Sequence, residues 1–172
     1  IERGKKNQKK AANIMGTSFT MLCFCGVILM IIGSLFAQPI LTVFGTSQNA
    51  MKYAYPYLMI YLIGTLPSMI SVGMNPFINA QGYSLIGMLS VMIGAVSNLL
   101  LDPLFIFKFG WGVRGAAIAT VISQCMSAVF VLYFLIRKAE LKLHFLRKEE
   151  WKKSVVYARD IISLGTAGFV MQ

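Results

Sequence analysis

Four long stretches of the chain are apolar throughout and lack the alternation of a half-polar strand. They run approximately from Ile14 to Phe36, Tyr57 to Phe77, Leu85 to Phe107 and Val113 to Ile136. A bilayer core is crossed by about 20 apolar residues in a helix, so each run is long enough to span. Backbone exposed to lipid must satisfy its own hydrogen bonds, which makes helices the expected form rather than barrel strands. A fifth run begins near Ile161 and stops at Gln172 after about three turns, and the chain opens at Ile1 without a start methionine; both suggest part of a longer product.

The links between the runs set the order in space. The first, Ala37 to Pro56, holds Pro39, Gly45 and Pro56 and a single basic residue, Lys52. The second, Ile78 to Ser84, is short and turn-rich, which makes the second and third spans antiparallel neighbours. The third, Lys108-Phe109-Gly110-Trp111-Gly112, is tighter still, with glycines permitting the turn. Lys108, Trp111 and Arg114 suit an outer membrane interface. The fourth, Arg137 to Asp160, mixes many charges with Leu141, Leu143, Phe145, Leu146 and Trp151, the pattern of an amphipathic surface helix. No internal repeat is visible over the four spans.

Composition agrees with this reading. Hydrophobic residues make up 57% of the chain, above the roughly 45 to 50% of a soluble domain, so an integral membrane protein is expected. The net charge of +10 would suggest nucleic acid in a soluble protein. Its placement argues for topology instead. Arg3, Lys5, Lys6, Lys9 and Lys10 precede the first run, and eight more basic residues lie between Arg137 and Arg159. These two segments are separated by an even number of spans, and the positive-inside rule puts residues 1–13 and 137–160 in the cytoplasm. Cys23, Cys25 and Cys125 lie in apolar runs and are expected to be buried small hydrophobes.

Within the third run Asp102 is the only charged residue between Lys52 and Lys108. A charged side chain at the centre of a span costs about 2.5 to 3.5 kcal/mol on insertion scales, so such a residue normally faces a protein or water-filled interior and handles ions, protons or substrate. Ser90, Gly94, Asn98 and Asp102 recur every four residues and form one small, polar stripe, with Leu89, Met92, Ile93, Val96, Leu100 and Phe107 on the other sides. Pro103 has no N–H to give the Leu99 carbonyl. A carboxylate, an amide and a freed carbonyl make an oxygen cluster suited to a hard cation such as Na⁺. The same carboxylate can instead carry a proton. The structural alternative is that Asp102 pairs with a basic residue or caps a kinked helix end, but no Lys or Arg lies at comparable depth.

The fourth run carries a matching face of Ala116, Thr120, Ser123, Gln124 and Ser127. Small residues four apart let helices approach closely. Thr120 can add a hydroxyl to the Asp102 cluster or bond its own backbone. Ser123 and Gln124 are candidates for the same network or for a cavity wall, and Tyr57 for a cavity wall. Tyr53, Tyr55, Tyr57 and Tyr61 otherwise read as an interfacial belt, and Pro67 in mid-span predicts a kink or hinge. His144, the single histidine, falls in a cytoplasmic link, so no His-based metal cluster or Ser-His-Asp triad can be assembled, and an enzyme is the least supported class.

The block Ser97-Asn98-Leu99-Leu100-Leu101-Asp102-Pro103, followed by Gly112-Val113-Arg114-Gly115-Ala116-Ala117 and Ala119-Thr120-Val121-Ile122-Ser123-Gln124, closely resembles the multidrug and toxic compound extrusion (MATE) family. The resemblance covers nearly the whole chain. It implies an all-α, polytopic helix bundle forming part of a twelve-helix transporter with two six-helix lobes. Residues 1–136 then supply amino-lobe helices three to six, 137–160 the inter-lobe linker and 161–172 the start of helix seven. It further implies a bacterial cytoplasmic-membrane antiporter that exchanges organic, often cationic, compounds for Na⁺ or H⁺ by alternating access, with no cofactor and no nucleic acid. Its partners would be the bilayer, the substrates and the remaining helices of the same protein. Asn98, Asp102 and Thr120 match the amino-lobe cation site of bacterial members, Tyr57 a tyrosine linked to it, and Pro67 and Pro103 are the candidate hinges. Two departures stand out. The family's acidic residue on helix one lies outside this sequence, and Gly165-Thr166-Ala167-Gly168 lacks the proline many members carry at the start of helix seven. The main alternative is a lipid-linked oligosaccharide flippase of related architecture, although the inward stripes contain no basic residues to hold a pyrophosphate. A non-transporting scaffold subunit is the third reading.

Overall fold

The computed structural model describes residues 8–141, and every element among them is helical. In chain order these are α1 (Gln8–Leu35), α2 (Ala37–Val43), α3 (Gln48–Ile63), α4 (Thr65–Ala80), α5 (Ser84–Pro103), a π-helical turn (Leu104–Lys108) and α6 (Gly112–Arg137). The expected spans correspond to three helices long and apolar enough to cross a membrane, Lys10–Leu35, Ser84–Lys108 and Gly112–Arg137, and to the bent pair α3–α4. The amphipathic link beyond Leu141, His144 and the start of the fifth run lie outside the described residues, as do residues 1–7.

The first link is not a plain loop. It contains α2 and the first turns of α3, because Pro39 falls where a helix has no use for its missing N–H, while Pro56 lies inside α3. Pro39 is the third residue of α2, inside the first turn whose N–H groups have no intrahelical partner. Gly45, at φ 77°, closes α2, and Ser47 caps α3 by accepting the Ala50 N–H at 3.3 Å.

The kink expected from Pro67 is present, displaced toward the N-terminus. The axes of α3 and α4 differ by 47°, and the break falls at Gly64. The proline ring clashes with the carbonyl four residues back, which is that of Ile63, the last residue of α3. Pro67 itself sits harmlessly in the first turn of α4.

The short links behave as their glycines dictate. Gly82 (φ 87°) turns α4 into α5, and Gly110 (φ 68°) and Gly112 (φ 52°) turn the π-helical segment into α6. The π turn is defined by a Phe109 N–H to Leu104 carbonyl bond of 3.0 Å, five residues apart. Phe105, Phe109 and Trp111 stack on one another with ring centroids 5.4 to 5.5 Å apart.

The core lies at the end of the bundle where α1, α4 and α6 converge. Met15 and Phe19 of α1 pack with Ile70, Met74 and Ile78 of α4 and with Ala128, Val131, Phe134 and Leu135 of α6. In a membrane, close packing and interhelical hydrogen bonds hold such a core more than expulsion from water does. Gln81, in the α4–α5 turn, accepts the Leu141 N–H at 2.9 Å and so ties that turn to the end of α6. One expectation fails: Cys25 is exposed and Cys23 and Cys125 are only half-buried. Much of the outer side of α1 has no neighbour among the described residues, and Phe24, Leu29 and Ile31 are exposed there as well.

Candidate functional site

Helices α5 and α6 run antiparallel from the Gly110–Gly112 turn, so the last turns of α5 lie beside the first turns of α6. Close approach is built in. A Cβ on Gly115 would stand 2.7 Å from the Phe105 carbonyl oxygen, so only glycine fits against the π turn there. This approach sets Asn98 and Asp102 of α5 opposite Thr120 of α6.

The three residues that the resemblance singles out meet. The Asn98 side-chain amide donates to Asp102 Oδ1 and to Thr120 Oγ1, at 3.3 Å each. Thr120 Oγ1 donates in turn to the Ala116 carbonyl at 3.0 Å. Thr120 thus does both things expected of it, bonding its own backbone and joining the cluster. All three side chains are half-buried. Among the described residues no basic side chain pairs with Asp102, which removes the structural ion pair as its explanation there. The donor set is wholly oxygen once the amide turns its oxygen inward, which fits a small hard cation. No group of three or more His, Cys, Asp or Glu side chains that could hold a tightly bound metal occurs among the described residues.

Asn98 and Thr120 also line a cavity of about 270 Å³ between α4, α5 and α6, together with Ser68, Ser71, Ser123, Gln124 and Ser127. Ser123 is buried and donates to its own helix at the Ala119 carbonyl, 2.8 Å away. Gln124 points toward Gly64, and its Oε1 is buried without a hydrogen-bond partner among the described residues. Tyr57 is not brought into the cluster. Its ring stacks on Tyr61 at 5.9 Å, and among the described residues it makes no hydrogen bond to Asn98, Asp102 or Thr120. Pro103 closes α5 immediately after Asp102, and Pro67 lies three residues past the Gly64 break.

The cavity wall continues into a polar clamp that the sequence reading found only in part. Ser127 Oγ donates to the Ser90 carbonyl at 2.7 Å, so the 2.6 Å contact between Ser71 and Ser127 has Ser71 as donor. Asn75 donates to the Gly87 carbonyl at 2.9 Å and to Ser90 Oγ at 2.7 Å. Ser71 was missed. The spacing of Ser68, Ser71 and Asn75, three and then four residues apart, marks one face of α4 and was the available signal.

Comparison with known proteins places this geometry. The MatE family model matches residues 2–104. A probable multidrug resistance protein, YoeA of Bacillus subtilis, is 32% identical over 156 residues, covering 83% of this chain and 31% of that protein. The multidrug export protein MepA of Staphylococcus haemolyticus is 25% identical over 168 residues, covering 98% of this chain and 37% of its own length. The chain therefore spans about a third of the length of these relatives. Among solved structures, an inward-facing multidrug resistance MATE family transporter superposes with a TM-score of 0.80 at 25% identity, over 90% of this chain and 36% of that one. A crystal structure of a MATE protein in complex with MaD3S gives the same TM-score at 24% identity, over 98% of this chain and 40% of that one, and speaks for the fold. These matches do not favour the flippase alternative, and the family is one of transporters rather than enzymes. A multi-pass helical membrane protein with this arrangement of α5 and α6, matched by the MatE model over more than half its length, belongs to the multidrug and toxic compound extrusion family.

Proposed function

We propose that the protein to which this chain contributes is an antiporter of the bacterial cytoplasmic membrane, exporting organic compounds in exchange for Na⁺ or H⁺, with Asp102, Asn98 and Thr120 as the coupling site. The observation that carries the reading is the Asn98 amide bridging Asp102 on α5 and Thr120 on α6 at the edge of a polar cavity. A cation drawn to Asp102 would take over the bonds that Asn98 now makes and change how the two helices are held. The relatives named as multidrug proteins support organic compounds as cargo.

In this reading residues 1–136 belong to the amino lobe, 137–160 link the lobes in the cytoplasm and 161–172 open the second lobe. Pro103 and the Gly64–Pro67 break are where helices would bend between inward- and outward-open forms. The membrane potential contributes about 2.3 kcal/mol per elementary charge per 100 mV, equivalent to roughly a 50-fold accumulation ratio.

The test uses the whole protein in proteoliposomes, following efflux of a fluorescent organic cation under an imposed Na⁺ or H⁺ gradient. Asp102→Asn, correctly inserted, is expected to lose gradient-driven efflux, and the gradient that works for the wild type names the ion. Undiminished efflux by the variant would remove Asp102 from coupling.

A further inference from the structure

A second cleft, of about 720 Å³, opens at the opposite end of the bundle from Gln81, where the first turns of α3 meet the Gly110–Gly112 turn. Lys52, Tyr53 and Ile60 line it from α3, and Trp111, Arg114 and Ile118 line it from the other side. Lys52 and Arg114 are exposed, and among the described residues neither is paired with an acid. The described residues hold two carboxylates. Asp102 is engaged by Asn98, and Glu140 lies past the far end of α6. Two cations thus converge on one cleft without an anion from the described part of the chain.

The cleft's other surfaces are of two kinds. Trp111 and Tyr53, exposed by 49% and 65%, form aromatic walls, and stacking on Phe105 and Phe109 fixes the Trp111 ring. Ile60 and Ile118 form an apolar floor farther along α3 and α6. Amphipathic rings beside basic side chains are what a protein presents at the level of lipid headgroups. The volume lies within the roughly 300 to 1,000 Å³ of sites that enclose a small organic group.

We propose that this cleft binds the headgroup of an anionic phospholipid. Lys52 and Arg114 hold the phosphate, Trp111 and Tyr53 flank the glycerol, and the acyl chains leave over Ile60 and Ile118. An inorganic phosphate would satisfy the two cations and leave the aromatic walls and apolar floor without a role, which favours the lipid. The site is independent of what the protein exports and of which ion drives it.

The test is native mass spectrometry of the delipidated whole protein, titrated with phosphatidylglycerol, phosphatidylcholine and, separately, inorganic phosphate. One phosphatidylglycerol is expected to be retained more tightly than phosphatidylcholine, by about fivefold per interfacial cation and so up to about 25-fold for two. Lys52→Gln/Arg114→Gln is expected to bring phosphatidylglycerol down to the phosphatidylcholine level. Lys52→Arg, which keeps both charges, retains the preference and guards against a fold defect as the cause. Equal retention of both lipids by the wild type, a preference that survives the double substitution, or a preference lost in Lys52→Arg overturns the assignment. Displacement of phosphatidylglycerol by inorganic phosphate at millimolar concentration would do so as well, and would reassign the site to free phosphate.

Discussion

Replacing Gly64 by alanine separates two opposing effects at the bend between α3 and α4. Gly64 has φ −71° and ψ −12°, which any L-residue adopts, so alanine should stabilise by about 0.4 to 1 kcal/mol through the unfolded chain. Against this, its Cβ would collide with Gln124 Oε1 and stand 3.0 Å from Val121 Cγ2 and 3.1 Å from the Tyr61 carbonyl oxygen. Overpacking of this kind costs about 1 to 3 kcal/mol, so the clash wins and Gly64→Ala should destabilise by about 1 to 2 kcal/mol. The worst contact is with the end of a glutamine side chain. In a Gln124→Ala background the same substitution should therefore cost at least 1 kcal/mol less. Thermal unfolding of the four proteins in one detergent, followed by circular dichroism, reads the difference. For domains of about 150 to 250 residues each kcal/mol corresponds to roughly 2 to 4 °C. A Gly64→Ala protein as stable as the wild type would refute the close approach of α6 to the bend. An identical cost in both backgrounds would assign the clash to Val121 and not to Gln124.

Asn98→Leu removes the amide that links Asp102 to Thr120. In the proposed site the amide oxygen turns to the cation, so its loss should weaken cation binding by about 1.5 to 2 kcal/mol, roughly a 10- to 30-fold rise in the cation concentration for half-maximal efflux in proteoliposomes. In the clamp at the cavity wall, Ser127→Ala leaves both the Ser90 carbonyl and the Ser71 hydroxyl without the partner they now have, whereas Ser71→Ala removes one donor from Ser127. Chemical unfolding in mixed micelles should rank Ser127→Ala below Ser71→Ala by about 1 kcal/mol; equal effects would argue against the shared proton arrangement.

Most of the fold was legible in the sequence because membrane spans need length and apolar character, and both can be read directly. The stripe Ser90, Gly94, Asn98 and Asp102 followed from helical spacing, and the meeting of Asn98, Asp102 and Thr120 agrees with the motif resemblance. What escaped depended on distances between helices. The resemblance links Tyr57 to the cluster, and among the described residues its ring stacks along its own helix on Tyr61. Ser71 shares a face of α4 with Ser68 and Asn75 by spacing, but its partner across the bundle, Ser127, shows only once the helices are packed. Pro67 gave the kink but not its position, because a proline acts on the carbonyl four residues before it. Polarity alone suggests burial for Cys25, which is exposed, because polarity does not say which side of a membrane helix meets a neighbour.

The π turn makes the site sensitive to chain length. Leu104–Lys108 accommodates an extra residue within an otherwise α-helical path, while the Trp111 N–H to Phe105 carbonyl bond of 3.1 Å pins its second residue to the start of α6. Adding one residue between Asp102 and Phe105 would rotate the helix before it by about 100° relative to that pin. Asp102 would then turn away from Thr120 although neither residue had changed. An added residue there should therefore be as damaging as losing the acid itself.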